Sequence, residues 1–193
     1  MIREGAPEST SRHAWYVAAM LSAAYLLSIM DRYLLSVVLE DVKRDLRLTD
    51  TQLGVLQGPS MVLLFLVASI PIGRLADIAN RKLIVVAGLA VWTLCTLSAG
   101  LADNFIELML TRLGVGLGEA ALLPCAMSLI ASYFSSDKLS RGIAIYSMGG
   151  TFGRAAAFAG GGAVLAWLAV RGGLDVPMIG TVRPWQGVFV TAG

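Results

Sequence analysis

Residues 51–73 read TQLGVLQGPSMVLLFLVASIPIG, a stretch without a single ionisable side chain. At about 1.5 Å of rise per residue it reaches across a hydrocarbon layer about 30 Å thick, which about 20 apolar residues suffice to span. Further uncharged runs cover Ala14–Met30, Leu83–Ala102, Ala120–Ser136 and Ala155–Val170. Across the 193 residues the hydrophobic share is 56% and the charged share 15%, well below the roughly 25% of soluble domains. The mean hydropathy is +0.73. The chain therefore reads as all-α and polytopic in a membrane, several spans extending past single embedded charges.

The same numbers exclude other classes. A net charge of +2 with dispersed Lys and Arg is no nucleic-acid footprint, so no nucleic-acid partner is expected. Cys95 and Cys125 lie inside apolar runs, which suits neither a disulfide scaffold nor a metal cluster. His13, the one histidine, reads as an interfacial residue at the foot of the first span. Gly114-Val115-Gly116-Leu117-Gly118-Glu119 superficially suggests a dinucleotide loop, but Glu119 replaces the third glycine and no strand precedes it. With no nucleophile elbow, zinc-protease pair or phosphate loop, no enzyme and no cofactor is expected.

Residues 1–12 form a polar tail, and an apolar stretch too long for a cleaved signal follows. The remainder, 13–193, divides into helices at about 14–39, 52–75, 82–102, 105–134 and 142–170. A sixth starts near Pro184 and is cut short after about ten residues. Thr49-Asp50 offers a helix cap and Asp103-Asn104 a turn. With the N-terminus inside, the cytoplasmic side holds Arg3, Arg12, Arg74, Arg81, Lys82, Lys138 and Arg141. The outer side then holds Lys43, Arg44, Arg47, Arg171 and Arg183. This bias orients the chain with a cytoplasmic N-terminus in the cell membrane, the inner membrane if the source is bacterial. Small residues at helical spacing, Gly54/Gly58, Gly114/Gly118 and Gly149/Gly153/Ala157/Gly161, read as close-packing stripes. Pro59, Pro71 and Pro124 read as bends.

Five ionisable residues remain inside spans: Asp31 and Arg32 on the first, Arg112 and Glu119 on the fourth, Arg154 on the fifth. Charge at mid-bilayer costs at least about 2.5–3.5 kcal/mol, so each is a functional candidate. Arg112 and Glu119, seven apart, share one helix face. Counted from the helix ends, Asp31, Arg32, Arg112 and Arg154 converge on one layer with Glu119 below it, three cations against two carboxylates. One reading is that they pair only to fix packing. The other is a polar, water-accessible site. Desolvation favours a neutral carboxyl and a nearby guanidinium favours the ionised form, so a mobile arginine can load and unload a proton. On that reading Arg154, like Arg32 and Arg112, is a substrate-binding candidate.

The loop Gly73-Arg74-Leu75-Ala76-Asp77-Ile78-Ala79-Asn80-Arg81-Lys82 resembles the signature loop of the major facilitator superfamily, G-x-x-x-D-[RK]-x-G-x-[RK]-[RK]. Gly73, Asp77, Arg81 and Lys82 fit the residue types and nearly fit the spacing. Ile78 replaces a basic residue, and Asn80 stands at the glycine, where it is expected to keep a left-handed turn. Met30-Asp31-Arg32-Tyr33, Gly54-Val55-Leu56-Gln57, Asn80-Arg81-Lys82, Leu110-Thr111-Arg112 and Gly116-Leu117-Gly118-Glu119-Ala120 resemble the Spinster-like branch. The Asp-Arg pair and the G-x-G-E-A stretch also resemble organic anion:cation symporters. The resemblance implies the N-terminal six-helix half of a secondary active transporter, its sixth helix truncated. Transport would be proton-coupled, by symport or antiport, of lipid-like or organic anionic substrates. Asp31 and Glu119 would be the proton-linked carboxylates, Arg112 their ion-pair partner, Arg32 a substrate or gate contact, and Gly73, Asp77, Arg81 and Lys82 the gating loop. The implied partners are membrane lipid, protons, a small-molecule or lysolipid substrate, and the missing C-terminal half or a second chain. The alternatives are an organic anion:cation symporter of the same fold and a truncated, transport-dead membrane interaction protein.

Overall fold

A computed structural model describes residues 10–176 and 180–193; for residues 77, 175 and 176 only the backbone is described. The expectations for Arg3 and most of the polar tail thus lie outside the described residues. Among the described residues five helical spans are long and apolar enough to cross a membrane: Arg12–Val37, Asp50–Ala76, Arg81–Ala99, Phe105–Tyr133 and Leu139–Arg171.

The first span is α1 (Arg12–Val37), opened by the Ser11 side chain accepting from the Ala14 N–H. At Val38 the chain turns into α2 (Leu39–Leu46), whose Glu40 and Asp41 lie in the first turn and Lys43 and Arg44 in the last, the order a helix dipole favours. Arg47, at φ 53°, ends it in the left-handed region. The second span joins α3 (Asp50–Gln57), closed at its start by a Thr49–Gln52 capping box, to α4 (Pro59–Ile78). Gly58 interrupts them at φ −121°, ψ −81°. Pro59 then takes the first helical position, where its missing N–H is no loss.

The third span is α5 (Arg81–Ala99). The fourth is α6 (Phe105–Glu119) and α7 (Leu122–Tyr133), parted at Ala120–Ala121. Pro124 explains the break, because its ring cannot bond the carbonyl four residues back, at Ala120. The fifth span runs through α8 (Leu139–Ala156), a π-helical turn (Ala157–Gly161) and α9 (Gly162–Arg171). A two-stranded antiparallel hairpin follows, β1 (Leu174–Val176) with β2 (Gly180–Val182), Leu174 opposite Val182. The sequence reading had no strand there. Finally α10 (Pro184–Ala192) begins at Pro184.

Close approach through glycine builds the bundle. A Cβ on Gly153 would lie 2.5 Å from the Leu26 carbonyl, and one on Gly149 would meet the Ser22 carbonyl, so α8 lies backbone to backbone against α1. Gly118 packs against Gly88 and Trp92 of α5, and Gly116 against Met61 of α4. The Gly54/Gly58 stripe is different. A Cβ on Gly54 would touch nothing within 4 Å and one on Gly58 only its own helix, so this pair permits the break and is no packing seam. Asn80 also departs from expectation. Its φ −71°, ψ 104° is extended, and its side chain accepts from the Lys82 N–H as the N-cap of α5. Asparagine serves there as a capping acceptor and not as a stand-in for a left-handed glycine.

Candidate functional site

Residue 31 lies on the face of α1 turned toward α5 and α6; residue 32, a further 100° round, lies on the partly open side. The two neighbours in sequence therefore enter different environments. The Asp31 carboxylate accepts from Arg112 Nη1 at 3.3 Å through Oδ2 and from the Thr96 hydroxyl at 3.0 Å through Oδ1. Both ion-pair side chains are sealed, Arg112 at 1% and Asp31 at 3% exposure. Arg112 also lies 4.9 Å over the Phe189 ring of α10, while its Nε and Nη2 have no hydrogen-bond partner among the described residues. Asp31 and Thr96 border a cavity of about 110 Å³, with Trp92 and Thr93.

Arg32 instead donates to Glu119 Oε2 at 2.6 Å, and the Ser28 hydroxyl donates to Oε1 at 2.8 Å. Ser28 and Arg32 are one turn apart on α1, so both reach the same carboxylate. Glu119 is buried, but the Arg32 side chain is 39% exposed, its guanidinium 5.8 Å over the Phe65 ring. The two pairs therefore differ in kind: one is buried at both its cation and its anion, and the other is open at its cation.

Of the five embedded charges, four form two separate pairs, Asp31 with Arg112 and Glu119 with Arg32. Arg112 serves Asp31 alone, and Glu119 is taken by Arg32, which the resemblance had left for substrate or gate. Arg154 joins neither carboxylate: it is exposed, with no ion pair among the described residues. At the signature loop, Arg81 Nε donates to the Ala76 carbonyl at 3.1 Å and Lys82 lies 5.9 Å over the Tyr133 ring, tying the loop to α7. Gly73 lies inside α4 with open space where a Cβ would be. The Asp77 side chain lies outside the described residues.

Sequence reasoning missed Ser28, Thr96 and Phe189. Ser28 carried a legible signal, standing four residues before Arg32. Thr96 and Phe189 carried none, since only the docking of α5 and α10 brings them to Asp31 and Arg112. It also missed Tyr146, buried, stacked on Tyr25 with ring centroids 4.7 Å apart, its hydroxyl without a hydrogen-bond partner among the described residues. A recess of about 470 Å³, lined by Asp41, Arg44, Asp45, Arg47, Arg183 and Trp185 among others, lies at the far end of the bundle. There Asp45 accepts from the Trp185 indole at 2.6 Å and pairs with Arg183 at 3.1 Å, pinning α2 to α10.

Comparison with known proteins identifies the family and the fold. Residues 21–193 match the family model described as Major Facilitator Superfamily. The chain is 32% identical over 160 residues to an MFS-type efflux pump of Mycolicibacterium smegmatis, covering 83% of this chain and 37% of that protein. It is 28% identical over 174 residues to a probable L-galactonate transporter of Escherichia coli, covering 90% of this chain and 35% of that protein. Among solved structures, a bacterial homologue of the human lysosomal transporter Spinster, in an inward-facing and unoccupied conformation, superposes with a TM-score of 0.85 at 34% identity. That match covers 95% of this chain and 41% of the other. The chain spans well under half the length of these relatives.

Proposed function

Because the chain belongs to the major facilitator superfamily and holds two unlike charge pairs inside its spans, we propose that it forms the N-terminal bundle of a Spinster-like secondary active transporter. Transport is proton-coupled, and the cargo is a lipid-like or organic anion. The observation that carries this reading is the Arg32–Glu119 pair, a buried carboxylate whose cation is partly exposed. Arg32 can leave Glu119 for water or for an anionic substrate without becoming a stranded charge. Its departure changes the electrostatic cost of ionising the carboxylate it leaves. An anionic cargo on Arg32 and a proton on Glu119 thereby favour one another, because each takes from the pair the partner the other must displace. Arg112 cannot do this at comparable cost, since it is sealed with Asp31. Asp31 and Arg112 act as the second member of the proton-linked set, and Gly73, Asp77, Arg81 and Lys82 gate the bundle against its other half.

The chain sits in the cell membrane with its N-terminus in the cytoplasm, its partners being membrane lipid, protons, the anionic cargo and the second six-helix bundle. A second reading, an organic anion symporter of the same fold, is favoured by the likeness to the probable L-galactonate transporter over 90% of this chain. The decisive experiment uses the full-length carrier in vesicles. Glu119→Gln should abolish uptake driven by a pH gradient while leaving substrate exchange measurable. Full gradient-driven uptake by that variant would remove Glu119 from the coupling.

A further inference from the structure

Among the five embedded charges, Arg112 is matched by Asp31 and Arg32 by Glu119. Arg154 is left over, exposed and without an ion-pair partner among the described residues. It stands near the middle of the span Leu139–Arg171, roughly 22 Å of helix from one end and about 26 Å from the other, too far for its side chain to snorkel to an interface. An unpaired guanidinium at that depth is too costly in hydrocarbon and must face water or polar groups.

The packing of α8 shows on which side. Tyr146 stacks on Tyr25, and a Cβ on Gly150 would meet the Tyr25 ring at 2.7 Å. Arg154 is the next residue in that four-residue progression and continues the same face. Its neighbour Gly153 backs onto Leu26 and Ile29, which sets Arg154 at the level of Ser28, the residue that bonds Glu119. One turn on, the exposed Phe158 lies 5.8 Å from Tyr33.

We infer that Arg154 faces the same water-accessible side as Arg32 and is the fixed cation that receives an anionic group of the cargo. The inference rests on the transport reading for the word cargo, and on the packing of α8 for the site. Its consequence is a rule of valence. With both carboxylates ionised the cluster holds three positive charges against two negative, and a monoanion is the matched ligand. When Glu119 takes up a proton, Arg32 is released and the excess rises to two. A dianion, held between Arg32 and Arg154, is then the matched ligand. The Tyr33 and Phe158 rings beside Arg154 provide an apolar wall for the body that carries the charge.

The test reads this charge directly and needs no substrate. In the full-length protein, with its other cysteines replaced by serine, Phe158→Cys is reacted with anionic sulfonatoethyl and cationic trimethylammonioethyl methanethiosulfonates. A unit charge about 7 Å away in a largely aqueous medium shifts the ratio of the two rates by roughly tenfold. The anionic reagent should be favoured, Arg154→Gln should lower the ratio by about that factor, and Arg154→Lys should restore most of it. Glu119→Gln, which frees Arg32, should raise it. A cysteine at 158 that reacts with neither reagent faces lipid, and a ratio indifferent to Arg154→Gln places the guanidinium elsewhere; either result overturns the inference. If the charge pattern appears but the carrier moves no organic anion, the cation site stands and the transport reading falls.

Discussion

Replacing Asp31 by asparagine tests how far the sealed pair holds the bundle together. At 3.3 Å and an effective dielectric of about 20, the Coulomb attraction between Asp31 and Arg112 is about 5 kcal/mol. Asparagine can keep the Thr96 hydroxyl as donor but removes the charge. Arg112 then remains 1% exposed with no anion, and two of its nitrogens already lack a hydrogen-bond partner among the described residues. Breaking such a pair from one side costs about 3–5 kcal/mol. For a chain of this length that corresponds to a fall of roughly 6–20 °C in melting temperature, measurable by thermal unfolding in detergent. The double variant Asp31→Asn/Arg112→Met removes the stranded charge and fills its volume. It should return to within about 1 kcal/mol of the parent, giving a coupling near 3 kcal/mol. Glu119→Gln should cost only about 1 kcal/mol by the same assay, because Arg32, 39% exposed, turns to water. Equal losses for Asp31→Asn and Glu119→Gln, or additivity in the double variant, would refute the distinction between a closed pair and an open one.

Two further outcomes concern packing and orientation. Gly118→Val should cost about 2–3 kcal/mol, since its Cβ would press 2.6 Å from the Gly88 carbonyl and 2.7 Å from Trp92. Gly54→Ala, with open space around it, should instead gain about 0.5–1 kcal/mol in the same melting assay. With a cytoplasmic N-terminus, a membrane-impermeant thiol reagent added outside cells should label a single cysteine at Thr49 and spare one at Ile78, which is 86% exposed in the signature loop; the reverse pattern would invert the topology.

What the sequence determined by itself was whatever depends on local composition along one helix. Uncharged runs long enough for a bilayer mark spans because hydrocarbon excludes charge whatever the neighbours are. Thr49 marks a helix start because a cap bonds within its own turn. The five costly charges were visible for the same reason. Only the tertiary structure decided who pairs with whom. Asp31 and Arg32 are adjacent, yet a helix turns 100° per residue, so one is delivered to Arg112 and Thr96 and the other to Glu119. Spacing could not tell the Gly54/Gly58 stripe from the Gly114/Gly118 stripe either, because a glycine matters only if another backbone arrives where its side chain would be. Gly118 meets α5, and Gly54 meets nothing. Arg154 was read as paired or facing a cavity. Among the described residues it has no ion pair, because Arg32 and Arg112 already occupy both carboxylates, an allocation set by how α1, α5 and α6 dock.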